Sequence, residues 1–142
     1  MVHKIEISIH VIVHATEDIT KIFQSFEDVL NVKEEDFVIE ETEGHYENPI
    51  TLLNANIVKK QAQNLIDKLL ELLPDDQVED LIEEIEDRIE DSRFHLRLDK
   101  QELVKGNLVV KEKGTIKLKI HTPIYNKKDT VKIFSEILKI VN

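Results

Sequence analysis

The chain contains no cysteine, which excludes disulfides and thiolate metal sites and permits a reducing compartment. It has only 3 glycines, so a glycine-rich phosphate cradle has little to be built from. No G-x-x-x-x-G-K-[ST], G-x-G-x-x-G or G-x-S-x-G occurs. With 3 prolines and few glycines against 41% hydrophobic and 34% charged residues, the composition is that of a folded chain rather than a disordered one. Long apolar runs are also missing. The stretch Ile5 to Val13 is interrupted by Glu6, Ser8 and His10 and is too short to span a bilayer. No basic region precedes an apolar segment with a small-residue cleavage site, so the expected compartment is the cytoplasm, with no membrane association. A length of 142 residues suits one domain covering residues 1–142.

Catalytic constellations are equally scarce. Ser8, Ser25, Ser92 and Ser135 do not sit in a nucleophile elbow. His10 and His14 are four residues apart on an extended segment, roughly 13 Å along a strand, which is too far to share a metal. The reading is of a protein that is not an enzyme and needs no metal or cofactor.

What is present is a charge asymmetry. The formal net charge is −10, but residues 1–92 hold 7 Lys and Arg against 24 Asp and Glu, whereas residues 93–142 hold 12 against 5. A basic surface of this kind attracts phosphates over about a Debye length of ~10 Å while an acidic surface faces elsewhere.

Periodicity supplies the elements. Lys4 to His14 alternates, with Ile5, Ile7, Ile9, Val11 and Val13 on one face. Thr16 is the expected N-cap of a helix running to about Leu30, followed by a short strand over 37–41 and another over 50–58. Lys59 to Leu73 reads as a helix, and Asp75 to Asp91 as a single acidic one with Val78, Leu81, Ile82, Ile85 and Ile89 as its stripe. A strand begins at Arg93, and a helical turn covers 100–104. Residues 108–111 and 115–121 read as a hairpin closed by Glu112-Lys113-Gly114, and a helix covers 130–141. The expected class is α+β, a largely antiparallel sheet with helices packed on one face and the other face open.

That open face carries the functional expectation. Arg93, His95 and Arg97 alternate outward in one strand, and Lys117, Lys119 and His121 in another. If the two strands share a sheet, these side chains form a basic plateau suited to RNA phosphates and 2′-hydroxyls. The plateau has no aromatic residues of the kind on which bases stack in RRM-type sheets, so backbone or shape recognition fits better than readout by stacking. The loop around His45 and Asn48 adds an imidazole and an amide. The alternative is a protein-interaction module or homodimeric scaffold that docks through the acidic helix at Glu83, Glu84 and Asp87.

Three segments carry a resemblance: His14-Ala15-Thr16-Glu17-Asp18, Glu43-Gly44-His45-Tyr46-Glu47-Asn48-Pro49-Ile50, and Arg93-Phe94-His95-Leu96-Arg97-Leu98-Asp99-Lys100-Gln101. In this order they resemble the archaeal family of RNA-binding proteins described as predicted exosome subunits, over nearly the whole chain. The resemblance implies a fold like that of the large-subunit ribosomal protein that binds 5S RNA. It also implies a role near RNA processing or degradation, with exosome components as partners. The family's recurrent polar positions fall on His14, Thr16, Gly44, His45, Asn48, Pro49, Arg97, Asp99, Lys100 and Gln101. The chain departs from the pattern at Glu47, where a glycine is usual, and at Glu102-Leu103-Val104-Lys105, which replaces a small-residue stretch. Arg93, Arg97, Lys100, Lys105, Lys117 and Lys119 are the expected phosphate contacts, with His45 and Asn48 as further polar contacts to RNA.

Overall fold

The structure, a computed structural model, describes residues 4–43 and 48–139. The first alternating segment forms β1 (Glu6–His14), with Ile7, Ile9, Val11 and Val13 buried. Asp18, rather than Thr16, caps the following helix α1 (Ile19–Leu30), accepting from the Thr20 and Lys21 amides at 3.0 and 3.4 Å. Its two-residue offset comes from a turn in which the Glu17 amide donates to the His14 carbonyl. Strands β2 (Phe37–Glu43) and β3 (Pro49–Val58) follow, then α2 (Lys59–Leu72).

The expected single acidic helix over 75–91 is not one helix. It divides into α3 (Asp75–Glu83) and α4 (Ile85–Arg88), and Ile89 enters a short strand β4 (Ile89–Glu90). β4 turns back on β5 (Arg93–Leu98) through Asp91 and Ser92, both with left-handed φ of 53° and 62°. Two consecutive left-handed residues make a tight hairpin turn, which neither Asp nor Ser announces as Asn-Gly would. A short helix α5 (Lys100–Val104), the strand β6 (Ile116–His121) and the helix α6 (Thr130–Leu138) complete the order. The part of the expected last helix beyond residue 139 lies outside the described residues.

Among the described residues six strands join one sheet in the order β2-β3-β1-β6-β5-β4, and neighbouring strands are antiparallel. One face is covered by helices. Phe23 and Phe26 of α1 meet Phe37 of β2 with ring centroids 5.9 and 5.1 Å apart. At the other side Phe134 of α6 lies 5.8 Å from Phe94 of β5, with both side chains fully buried. These rings anchor the helix layer at two separated places on the sheet.

The expected hairpin of 108–111 with 115–121 does not form. β6 has both edges occupied, by β1 and β5. Residues 109–111 instead lie along the other edge of β5. The Asp99 amide donates to the Val109 carbonyl at 2.9 Å, and the Lys111 amide to the Arg97 carbonyl at 3.0 Å. Leu98 therefore has Val110 on one side and Ile116 on the other. The chain crosses the end of β5 between them, and Gly114 is where it passes closest. A Cβ at Gly114 would stand 2.3 Å from the Leu98 carbonyl oxygen, a backbone atom that cannot swing away.

Gly114→Ala should therefore destabilise the protein by about 2 kcal/mol or more, the cost of forcing an extra methyl into a packed site. Urea denaturation checks this; an unchanged midpoint would show that the crossing is not tightly packed.

Candidate nucleic-acid interface

β5 and β6 are adjacent, and their register puts Arg93 opposite His121, His95 opposite Lys119, and Arg97 opposite Lys117. These residues lie on the open face, since their neighbours Phe94, Leu96, Leu98, Ile116, Leu118 and Ile120 are buried beneath the helices. Like charges directly opposite one another across a ladder repel. Here Arg97 faces Lys117, and none of the side-chain ion pairs among the described residues includes Arg93, Arg97, Lys117 or Lys119. Among the described residues Arg93 is held by a 3.4 Å bond from Nη1 to the Asp91 carbonyl.

The surface continues across β1 and β3. His10 is the partner of Lys117, and Ser8 of Lys119. His10 in turn pairs with Asn54 and Ser8 with Asn56, and a hydrogen bond joins His10 Nδ1 and Asn54 Oδ1. The basic strip thus grades into neutral hydrogen-bonding groups. Ser8, His10, Asn54 and Asn56 are not among the RNA contacts expected from the sequence. The alternation of Leu53, Ala55 and Ile57 with Asn54 and Asn56 is the signal that places the asparagines on this face. Carboxylates bound the strip: Glu6 pairs with His121, and Glu90 pairs with Arg93.

At the end of the sheet where β1 and β5 finish, the three sequence motifs meet. His14 is the register partner of Ile50, two residues after Asn48, which is exposed. Glu17 of the first motif accepts from Lys100 of the third at 2.8 Å. Lys100 is buried, and its ammonium also donates to the Ile12 carbonyl at 2.6 Å. That geometry removes Lys100 from the phosphate-contact set, because its donors are turned inward to tie the start of α5 to the end of β1. Lys105 does not join the plateau either. It follows α5, which packs beside α1, and approaches Glu102 at 3.7 Å. His45 lies outside the described residues.

A cleft of about 450 Å³ opens at this end, lined by His14, Glu17, Asp99, Gln101, Lys111 and Lys113. Asp99 caps α5, accepting from the Gln101 and Glu102 amides at 2.9 and 3.2 Å, and from Lys111 at 2.9 Å. The Lys111 hydrogen bond holds the Asp99 carboxyl below the ordinary aspartate range against the opposing effect of burial. The reciprocal interaction raises the Lys111 ammonium. At Glu17 burial pushes the carboxyl upward, but the Lys100 ammonium and the His14 amide outweigh it, and the net shift is downward. Both carboxylates are therefore ionised at neutral pH. Glu17 is paired with Lys100 and Asp99 with Lys111, while Lys113 and His14, like Lys111, are exposed at the mouth of the cleft. Among the described residues no group of three or more His, Cys, Asp or Glu is arranged to hold a metal.

The match that decides the family covers most of the sheet. A family model described as RNA binding fits residues 6–122. The chain belongs to that RNA-binding family. An RNA-binding protein of Pyrococcus abyssi is 32% identical over 114 residues, covering 75% of this chain and 73% of that relative. An uncharacterized protein of Methanocaldococcus jannaschii is 34% identical over 137 residues, covering 89% and 91% of the two chains. Among solved structures, a DUF54 protein from Archaeoglobus fulgidus is similar with a TM-score of 0.80 at 25% identity, covering 94% of this chain and 99% of that one. A DUF54 protein from Methanothermobacter thermautotrophicus has a TM-score of 0.76 at 29% identity, covering 96% and 99%. The family match spans the paired strands β1, β3, β5 and β6 that build the plateau. Among the described residues no helix is long and apolar enough to cross a membrane.

Lys100→Met keeps the buried stem and removes the ammonium, leaving the Ile12 carbonyl and the Glu17 carboxylate without their donor. The expected loss is about 2 kcal/mol, read by urea denaturation. Glu17 has a lowered folded-state pKa, so its contribution is complete above the unfolded glutamate value of about 4.3. It disappears as pH falls through the lower folded value. Lys100→Met should flatten the stability decline in that acid window, and an unaltered decline would contradict the coupling.

Proposed function

We propose that this protein is a non-catalytic, cytoplasmic RNA-binding module whose open sheet face holds the RNA backbone. The observation that carries the reading is the facing of Arg97 and Lys117, flanked by Arg93 and Lys119, with no carboxylate in an ion pair with any of the four among the described residues. A fold gains nothing by setting like charges opposite one another on neighbouring strands, and an anionic backbone laid over them supplies the missing partner.

Phosphates would run along β5 and β6, with Ser8, His10 and Asn56 offering hydrogen bonds to sugar hydroxyls or base edges beside them. Lys113 and His14 extend the path to the cleft at the end of the sheet, while Lys100 works from inside by fixing that end. The family's description and the name of the Pyrococcus abyssi relative support an RNA ligand. Exosome association and kinship with the 5S-RNA-binding ribosomal fold are the finer parts of the proposal. They rest on the resemblance that the three motifs carry. Docking through the acidic segment at Glu83, Glu84 and Asp87 is the alternative; it has less support, since that segment is two short helices and Glu84 is bound to Arg88 at 2.8 Å, while Glu83 and Asp87 stay exposed.

Replacing Arg93, Arg97 and Lys117 together by Gln should weaken single-stranded RNA binding and reduce the slope of log affinity against log salt by about 2, three cations at ~0.7 each. Fluorescence anisotropy at several salt concentrations reads both quantities. Unchanged affinity and slope would remove this face from the interface.

A further inference from the structure

Among the described residues the sheet face has no aromatic residue in its outward side chains, but the segment that follows β6 does. Five phenylalanines, Phe23, Phe26, Phe37, Phe94 and Phe134, are all in the core. Tyr125 is 96% exposed, so its ring touches almost nothing in the protein. It sits four residues past His121, the end of β6 and the register partner of Arg93. Four residues reach at most ~14 Å, so the Tyr125 backbone lies within that distance of the His121 end of the basic strip.

The segment that carries it is fixed on both sides. Thr122 is buried and Ile124 packs against the core. On the other side the Asn126 side chain accepts from the Lys128 amide at 3.1 Å, and the Asn126 carbonyl from the Asp129 amide at 2.9 Å. These bonds hold the 3₁₀ turn Lys127–Asp129, in which Lys127 and Lys128, two and three residues after Tyr125, are exposed, with Asp129 as the one carboxylate in the turn. An exposed aromatic ring on a fixed shoulder, followed in sequence by two exposed lysines and leading out of a cationic strand, combines the two elements of single-strand recognition. The cations follow the backbone, and the ring offers its face to a base.

The geometry points to Tyr125 as a nucleobase-stacking site, flanked by Lys127 and Lys128, at the β6 exit of the plateau. This rests on the RNA reading above and sharpens it, since a base splayed out onto a protein ring is free of its duplex partner and the preferred ligand is then single-stranded. Backbone recognition stays the expectation for the sheet face, and Tyr125 adds a stacking site at its end.

The test measures anisotropy of labelled oligoadenylate and of a labelled RNA duplex with wild-type protein, Tyr125→Ala and Tyr125→Phe. Because the ring is almost wholly solvated, Tyr125→Ala should leave the urea midpoint unchanged while weakening oligoadenylate binding about tenfold. Tyr125→Phe should keep wild-type affinity, and duplex binding should not respond to either change. Equal oligoadenylate affinity in Tyr125→Ala, an equal loss in Tyr125→Phe, or a parallel loss on duplex would each overturn stacking. Wild-type protein that binds duplex but not oligoadenylate would overturn the stacking site and leave the RNA reading standing. Wild-type protein that binds neither RNA would overturn both.

Discussion

β1 lies within the sheet with neighbours on both edges, and every second residue from Ile5 to Val13 is buried. That burial fixes its register, because a slip of one residue would carry five apolar side chains into water and polar ones into the core. Once β1 is fixed, β3 and β6 are set against it, and β5 against β6. The open face then has no freedom of composition by position: Ser8, His10, Asn54, Lys117, Lys119, Arg93 and Arg97 must share it. The cationic strip is thus a consequence of core packing, although the choice of Lys and Arg at those places is not. Other polar residues would satisfy the same exposed positions without facing like charges across a ladder.

The end of the sheet is governed by a different interaction. Lys100 brings a buried ammonium to the Ile12 carbonyl and to Glu17, joining the exit of β1 to the start of α5. A buried cation of this kind is costly unless it is fully hydrogen-bonded, so its surroundings are held to one geometry. Asp99 is held in the same way by two amides and Lys111. Together these groups hold the mouth where His14 and Lys113 are presented.

Much of this architecture is legible in the sequence, for reasons that can be named. Period-two patterns in β1, β5 and β6 are clear because each alternates apolar with polar residues, with Ile12 of β1 as the exception, so the outward side chains of the plateau can be read directly. Their adjacency cannot, since register between β5 and β6 depends on partners distant in sequence. The acidic segment misleads because Val78, Leu81, Ile82, Ile85 and Ile89 keep helical spacing while Ile89 in fact pairs with Phe94. Glu112-Lys113-Gly114 does turn the chain, with the Gly114 amide donating to the Lys111 carbonyl at 2.9 Å. Beyond that turn, β6 pairs with the edge of β5 opposite the one that Val110 occupies, a choice no local signal encodes. Lys100 looks like any lysine in a basic stretch. Its burial follows from the approach of α5 to the end of β1, which only the tertiary structure supplies. Tyr125 lies outside any periodic element, so no pattern in the sequence marks it.

The most direct test of the central claim, that the open face is an RNA surface, is a titration of labelled single-stranded RNA with the intact protein across a range of salt concentrations. The account predicts micromolar or tighter binding at low salt and a linear fall of log affinity with log salt. Arg93, Arg97, Lys117 and Lys119 would each contribute about 0.7 to that slope. Absence of binding at low salt, or an affinity indifferent to salt, would contradict it.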